Sequence, residues 1–423
     1  MAEIKVPFHR AAITKAEEDA VLDVLRSGWL TTGKYALEFE KKFSAAVSDT
    51  DKMKEARLQA QLPTDEIISL AVNSNTSGMI LAMEACGVRE GTAVITTPYT
   101  FVSTATCARH LNADVFFADV EKDTYSIDPD KIEEILKKDS QSGGYDGKGA
   151  HRVRAIVPVH IAGNVCNMRR IMELAAKYST PENHIRVIED TAHSFPSPTA
   201  LGYAGTIGDA GVFSFYVTKT ITTAEGGMVC TRDPELARRM TVMRMHGMDR
   251  TTWDRYTSPR ASWEYDIIAP GYKFNLPDVL AAIGCCQVDR AQLFYEQRKR
   301  IVDKYNEAFS GLDFIKLPPD GEGNSWHLYL MRLVPEKLNI TREEFAKKMQ
   351  EAGLGISVHF IPIFHFTYWR QLYPDFTAEA YPNAECQYNE TISIPLFPDM
   401  TDEQAQLVID TVTRIGNENR RDA

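Results

Sequence analysis

Between about residues 67 and 229 the chain alternates strand-like and helix-like stretches, and this rhythm limits the fold more than any single motif does. Residues 93–95, 114–117, 155–159, 187–189 and 212–215 are short apolar runs of the kind that fill a buried parallel sheet. The pattern predicts an α/β unit with a mostly parallel central sheet flanked by helices. Open sheets of this kind bind ligands beyond the carboxyl ends of their strands, so polar residues just past these runs are the candidates for chemistry.

Lys219 is the first of them. It closes the apolar stretch Gly211-Val212-Phe213-Ser214-Phe215-Tyr216-Val217-Thr218 and precedes Glu225-Gly226-Gly227. A lysine carried from a buried strand into a turn meets a low dielectric, where its amine sheds its proton more easily and condenses with a carbonyl. On its own it would be read as a solvated turn lysine. Asp190 ends the apolar run Val187-Ile188-Glu189, and His193 follows three residues later. A carboxylate about 4 Å from a protonated pyridine nitrogen attracts it by roughly 4 kcal/mol at an effective dielectric near 20. Thr76 and Ser77 lie in Asn73-Ser74-Asn75-Thr76-Ser77-Gly78, between a strand and a helix former. Free N–H groups at such a helix start make a phosphate cradle, and an ordinary helix cap is the alternative. Phe101 follows the strand end at Pro98 and could stack on a flat ring or belong to the core.

Together, Asp190-Thr191-Ala192-His193, Ser214-Phe215-Tyr216-Val217-Thr218-Lys219 and Glu225-Gly226-Gly227 resemble the signatures of the DegT/DnrJ/EryC1/StrS family of pyridoxal-phosphate (PLP) dependent nucleotide-sugar aminotransferases. The likeness extends in order through Ser27-Gly28-Trp29-Leu30-Thr31-Thr32-Gly33, Pro158-Val159-His160, Met245-His246-Gly247, Pro270 to Asp278, Val358-His359-Phe360 and Ile394 to Pro398. It implies the fold type I of PLP-dependent transferases, with residues 1–276 as the amino-terminal segment and large domain and 277–423 as a smaller α+β domain. By resemblance Lys219 forms the Schiff base and moves the proton, Asp190 pairs with the pyridinium, His193 bonds the ring hydroxyl and Phe101 covers one ring face. Thr76, Ser77 and Ser214 would hold the phosphate. Thr31 and His359 would lie near the substrate. Lys273 or Asn275 would reach into the site of a second subunit, in a homodimer with shared sites. Many relatives carry Asn-Tyr-Arg where this chain has Lys273-Phe274-Asn275, so the crossing residue is left open. The implied reaction takes an amine from L-glutamate through pyridoxamine phosphate (PMP) to a keto-sugar on a nucleotide, most often at C4. Pro270 to Asp278 and Leu396 to Thr401 look most like the branch that makes 4-amino-4-deoxy-L-arabinose on UDP. A 3-keto-sugar enzyme of the same family and a non-catalytic PLP sensor are the alternatives.

A net charge of −11 leaves no basic surplus for nonspecific nucleic-acid or anionic-membrane binding. Seven cysteines without a Cys-x-x-Cys pair argue against a zinc site or a disulfide framework. No apolar run reaches membrane-spanning length and the first residues lack a signal-peptide core, which predicts a cytoplasmic protein. Two polar stretches, 48–66 and 137–149, read as surface insertions. Beyond Pro277 a long helical pattern runs through Arg300, residues 326–333 alternate like a half-buried strand, and Thr341 with Glu344 forms a capping box.

Overall fold

The computed structural model describes residues 3–141, 143–144, 147, 152–249 and 264–421. Seven strands make the main sheet: β1 (Ile68–Val72), β2 (Ala93–Thr96), β3 (Asp114–Phe117), β4 (Val153–Ile156), β5 (Arg186–Thr191), β8 (Ala210–Ser214) and β9 (Gly227–Thr231). Between β5 and β8 lies a two-stranded ribbon, β6 (Pro198–Thr199) and β7 (Gly202–Tyr203). The spatial order in the main sheet is β1-β9-β8-β5-β4-β2-β3. Strands β8, β5, β4, β2 and β3 pair in parallel, while β9 runs antiparallel to both β1 and β8. The mostly parallel sheet read from the sequence is therefore present, and β9 is the reversed strand that the alternation did not announce. β4 stops at Ile156, short of the expected Val159, just before Pro158, which has no N–H for a ladder.

Helices cover both faces. Asn75–Ala85, Ser103–His110 and Pro234–Met243 share one apolar core with β1 and β8, and Pro129–Asp139 and Met168–Tyr178 share another with β2 and β4. A Cβ on Gly78 would lie 2.6 Å from Val212 Cγ1 and 2.9 Å from Val229 Cγ2, so the absent side chain lets the helix Asn75–Ala85 rest directly on β8 and β9. A Cβ on Gly227 would come within 2.8 Å of Asn75 N. These two close approaches fix where the helix begins relative to the sheet.

Strands β10 (Ile315–Lys316), β11 (Tyr329–Leu333) and β12 (Thr391–Ile394) form a separate antiparallel sheet. Its core includes residues of the helices Ala291–Phe309, Arg342–Glu351 and Asp402–Glu418. Every residue of β11 is buried, so the half-buried reading of 326–333 is corrected: Tyr329, Met331 and Leu333 belong to this core and Leu330 to the core shared with the main sheet, and both sides are thereby covered. The long helical pattern after Pro277 is two helices, Asp278–Asp289 and Ala291–Phe309, broken at Arg290. Asp278 accepts from the N–H groups of Gly33, Tyr35 and Ala36 at 2.8, 3.1 and 2.9 Å, which seats the helix Lys34–Ala46 against Asp278–Asp289.

The stretch 48–66 is more than surface. Arg57, in the helix Asp51–Gln59, is fully buried and donates to Pro63 O, Leu201 O and Thr206 O at 2.6, 2.8 and 3.1 Å. Asp49 lies between Arg57 and Arg232, at 3.7 and 2.7 Å. Of the loop 137–149, residues 142, 145, 146, 148 and 149 lie outside the described residues. Among the described residues no helix is long and apolar enough to cross a membrane.

Because Gly78 meets two strands at once, Gly78→Ala is expected to destabilise the protein by about 1–3 kcal/mol, the usual cost of overpacking a tight core. Urea denaturation of variant and parent checks this through the shift of midpoint at constant slope.

Candidate active site

The carboxyl ends of β1, β5 and β8 open on one cavity of about 570 Å3. Its wall includes Thr76, Phe101, Asp190, His193, Ser214, Lys219 and His359, seven candidates drawn from distant parts of the sequence. Ser77, Thr31, Lys273 and Asn275 are not in it.

Lys219 stands on the turn after β8, its N–H donating to Tyr216 O at 2.9 Å. Burial pulls its amine down to about 8, with Asp190 pulling the other way. Burial is what supplies an unprotonated amine here, because the ammonium form has lost its water.

Asp190 lies in β5 at 3% exposure. Oδ2 accepts from Thr104 Oγ1 at 2.7 Å, and Oδ1 accepts from Ala192 N at 3.1 Å and Asn75 Nδ2 at 3.4 Å. Burial raises its pKa, and the Thr104 bond, the Ala192 N–H and the nearby Lys219 oppose the rise. The preceding residue, Glu189, faces away from it. Glu189 accepts from the N–H groups of Gly205, Ile207 and Gly208 at 2.9, 2.8 and 2.8 Å and pairs with His160 Nε2 at 3.0 Å. Cys166 N donates to His160 Nδ1 at 3.1 Å, so the proton of that ring sits on Nε2, toward Glu189.

His193 is set by the same logic. Ala162 N donates to its Nδ1 at 3.1 Å, which leaves Nε2 as the protonated nitrogen of a neutral ring. Burial, reinforced by Lys219, holds this imidazole well below the usual histidine range. Ala162 has φ 60°, a left-handed conformation that costs a non-glycine residue about 1 kcal/mol or more. That strain aims its N–H at the ring.

The helix Asn75–Ala85 begins at the cavity. Ser74 caps it, its Oγ accepting from Ser77 N at 3.1 Å. Ser77 Oγ donates to Asn73 Oδ1 at 2.5 Å. Both donors of Ser77 are thus used inside the cap, and an anion at this helix start would meet the first-turn N–H groups of Asn75 and Thr76 and the hydroxyls of Thr76 and Ser214, all on the cavity wall. Phe101 lines the cavity with 59% of its surface exposed, and its ring lies 6.3 Å from that of Phe360. It belongs to the rim and not to the core.

The other three candidates sit elsewhere in the subunit. Asn275 bridges to Val72 and donates to Thr32 Oγ1 at 2.6 Å. Lys273 is exposed, 3.3 Å from Met245 Sδ, and burial lowers its pKa somewhat. Thr31 O accepts from Asp278 N at 3.3 Å. The sequence reading missed Thr104 and Asn75 as holders of Asp190, and Phe8, His327 and Phe360 as wall residues. Of these, Phe360 carried a signal in the matched run Val358-His359-Phe360, and Asn75 another in the polar turn before the helix.

These groups suit PLP. Asp190 is a buried carboxylate for the ring nitrogen, His193 Nε2–H a donor for a phenolic oxygen, the helix start an anion site and Lys219 an amine for the aldehyde. The sequence profile of the DegT/DnrJ/EryC1/StrS aminotransferase family matches residues 11–413. The chain is 36% identical over 414 residues to the spore coat polysaccharide biosynthesis protein SpsC of Bacillus subtilis, covering 97% of each. It is 35% identical over 417 residues to an uncharacterized Methanocaldococcus jannaschii protein, covering 98% of each. A Streptococcus pneumoniae protein assigned as a sugar aminotransferase and solved in its PMP form superposes with TM-score 0.81 at 28% identity, again over 98% of each chain. The chain belongs to the DegT/DnrJ/EryC1/StrS aminotransferase family. It is a PLP-dependent transaminase whose cofactor cycles between PLP and PMP.

Below about pH 8 the Lys219 ammonium is unreactive, and above it the free amine predominates. Competitive acetylation of the apoprotein across pH is therefore expected to give Lys219 a midpoint near about 8, well under that of solvent-exposed lysines. In Asp190→Asn the opposing pull is gone, and the midpoint moves lower still.

Proposed function

We propose that the enzyme transfers the amino group of L-glutamate to the C4 ketone of a nucleotide-linked keto-sugar, giving the amino-sugar and 2-oxoglutarate. The observation that carries this reading is the amine of Lys219, pulled to about 8, in a cavity that also holds Asp190, His193 and a helix start. Support for a sugar acceptor comes from the B. subtilis relative in polysaccharide biosynthesis and the S. pneumoniae sugar aminotransferase. When bound, PLP supplies an aldehyde to receive the amine and a ring that accepts electrons from the adjacent carbon.

The protein's own groups do the rest. Asp190 keeps the ring nitrogen protonated, with Thr104 and Ala192 N fixing its two oxygens. His193 Nε2–H steadies the ring oxygen. Lys219 Nζ would act as the base that takes the proton from the donor's α-carbon and as the acid that hands it to the cofactor carbon bearing the amine. It reverses that transfer when the sugar ketone is the acceptor.

Homodimerisation belongs to the same proposal. Apart from Lys219 the charged residues on the cavity wall are Asp190 and Glu225, whereas glutamate and a nucleotide's phosphates are anionic. Lys273 and Asn275, outside their own subunit's cavity, are the groups that would complete a partner's. The exposed apolar side chains of Leu30, Tyr265, Ile267 and Ile268 suit a covered face. We also propose a large domain of residues 1–276 and a small one of 277–423: the main sheet lies before the boundary and the three-stranded sheet after it. A cytoplasmic setting accords with seven unpaired cysteines.

Adding L-glutamate to the PLP-loaded protein is expected to bleach its visible band and release 2-oxoglutarate. Subsequent addition of a UDP-linked 4-keto-sugar restores the band. In Lys219→Ala both steps fall by about 10³-fold or more, within the range for losing a general acid–base group. A band that persists with glutamate sinks the transaminase assignment in favour of a sensor. Amination of 3-keto but not 4-keto substrates moves the reading to C3.

A further inference from the structure

We infer that Phe8 is a specificity-determining residue: with His359 it forms the wall on which the acceptor's sugar ring lies. The inference rests on the sugar reading above. Five rings stand in series around the cavity. Phe8 stacks on His359 at 5.6 Å and 21°, and His359 meets Phe360 edge-on at 5.0 Å. Phe360 stacks on His193 at 5.6 Å and 22°, and His193 lies 4.5 Å from His327. All five line the cavity. The series has two ends. They are Phe8 and His327; His193, next to His327 and just past β5, belongs to the cofactor side, so Phe8 and His359 mark the side left for the acceptor.

The segment carrying Phe8 is clamped. Lys5 N and Val6 N donate to Gly353 O at 2.8 and 3.2 Å, and Gly355 N donates to Val6 O at 2.8 Å. Val6 is fully buried. A Cβ on Gly355 would lie 2.4 Å from Phe8 N, so this glycine allows the segment to pass. His359 is anchored from the other side, with Nδ1 2.8 Å from Ser393 Oγ and its carbonyl accepting from Tyr99 OH at 2.7 Å. That leaves His359 Nε2 as the nitrogen for a ligand. Burial, with Lys219 adding to it, keeps the ring neutral, its pKa at about 4.

A phenyl face beside a neutral imidazole suits a pyranose. Ring C–H groups pack on Phe8, and a hydroxyl bonds Nε2. Phosphates are poorly matched, because among the described residues this part of the wall carries no cation. The sugar, and not the nucleotide's phosphates, is therefore the part that meets Phe8.

Steady-state kinetics with a UDP-linked 4-keto-sugar, alongside the glutamate half-reaction, test this. Phe8→Ala is expected to raise the KM for the keto-sugar about tenfold, the worth of one aromatic contact, with a smaller change in kcat. Phe8→Tyr, which keeps the ring, restores KM. Gly355→Ala raises KM in the same way with Phe8 still present. An unchanged KM in Phe8→Ala overturns the inference, and so does a loss that falls equally on the glutamate step. If the parent protein aminates no keto-sugar at all, the sugar reading fails first and takes the inference with it. If the parent does so and Phe8→Ala matches it, the inference fails alone.

Discussion

Glu189 is a carboxylate with no exposure to water, and four donors compensate it: three backbone N–H groups from the loop 205–208 and the Nε2–H of His160. Burial works against its charge, and the hydrogen bonds from His160, Gly205 and Gly208 outweigh it, leaving the pKa below the usual carboxylate range. Side chains alternate along a strand, so a Glu189 fixed on one face sends Asp190 to the other. A slip of one residue would exchange the two acids. The position of Asp190 on the cavity wall therefore depends on a neighbour that lies outside that wall. Val159 and His160 pair with Asp190 through the backbone and tie this end of β5 to the chain beyond β4.

Burial acts in one direction on two kinds of base in this cavity, disfavouring the cation in both. It makes Lys219 a better nucleophile by disfavouring the ammonium, and it keeps His193, His327 and His359 uncharged at physiological pH. Three positive imidazoles beside a lysine would repel each other and the pyridinium. As neutral rings they act instead as donors, acceptors and stacking surfaces.

The strand ends were legible because apolar runs of three to five residues, repeated between helix-like stretches, are hard to place anywhere but in a buried sheet, and Lys219, Asp190, His193 and Ser214 stand at or just beyond them. Thr76 was legible as part of a helix start, but a hydroxyl there has two uses. Ser77, read alongside it, turned out to spend both donors on Ser74 and Asn73. Distances of this kind decide between cap and cradle, and a sequence does not carry them. The wall formed by Phe8 and His327 was illegible for another reason: both belong to segments far in sequence from the sheet, and an isolated Phe or His reads as packing. β11 misled in the opposite sense: Tyr329, Met331 and Leu333 pack into the small sheet's own core while Leu330 packs into the core beside the main sheet, so neither face meets water.

The polar insertion 48–66 looks expendable on hydropathy grounds, yet Arg57 supplies the donors for Leu201 O and Thr206 O, on the loop whose next residues cap Glu189. Anyone shortening the protein for expression or crystal growth by excising this arm would remove the Arg57 donor from Leu201 O and one of the two donors from Thr206 O, and would leave Arg232 without its Asp49 partner. Slack introduced there would be transmitted through residues 206–208 to β5, so a cut made far from the chemistry would be felt at the floor of the cavity.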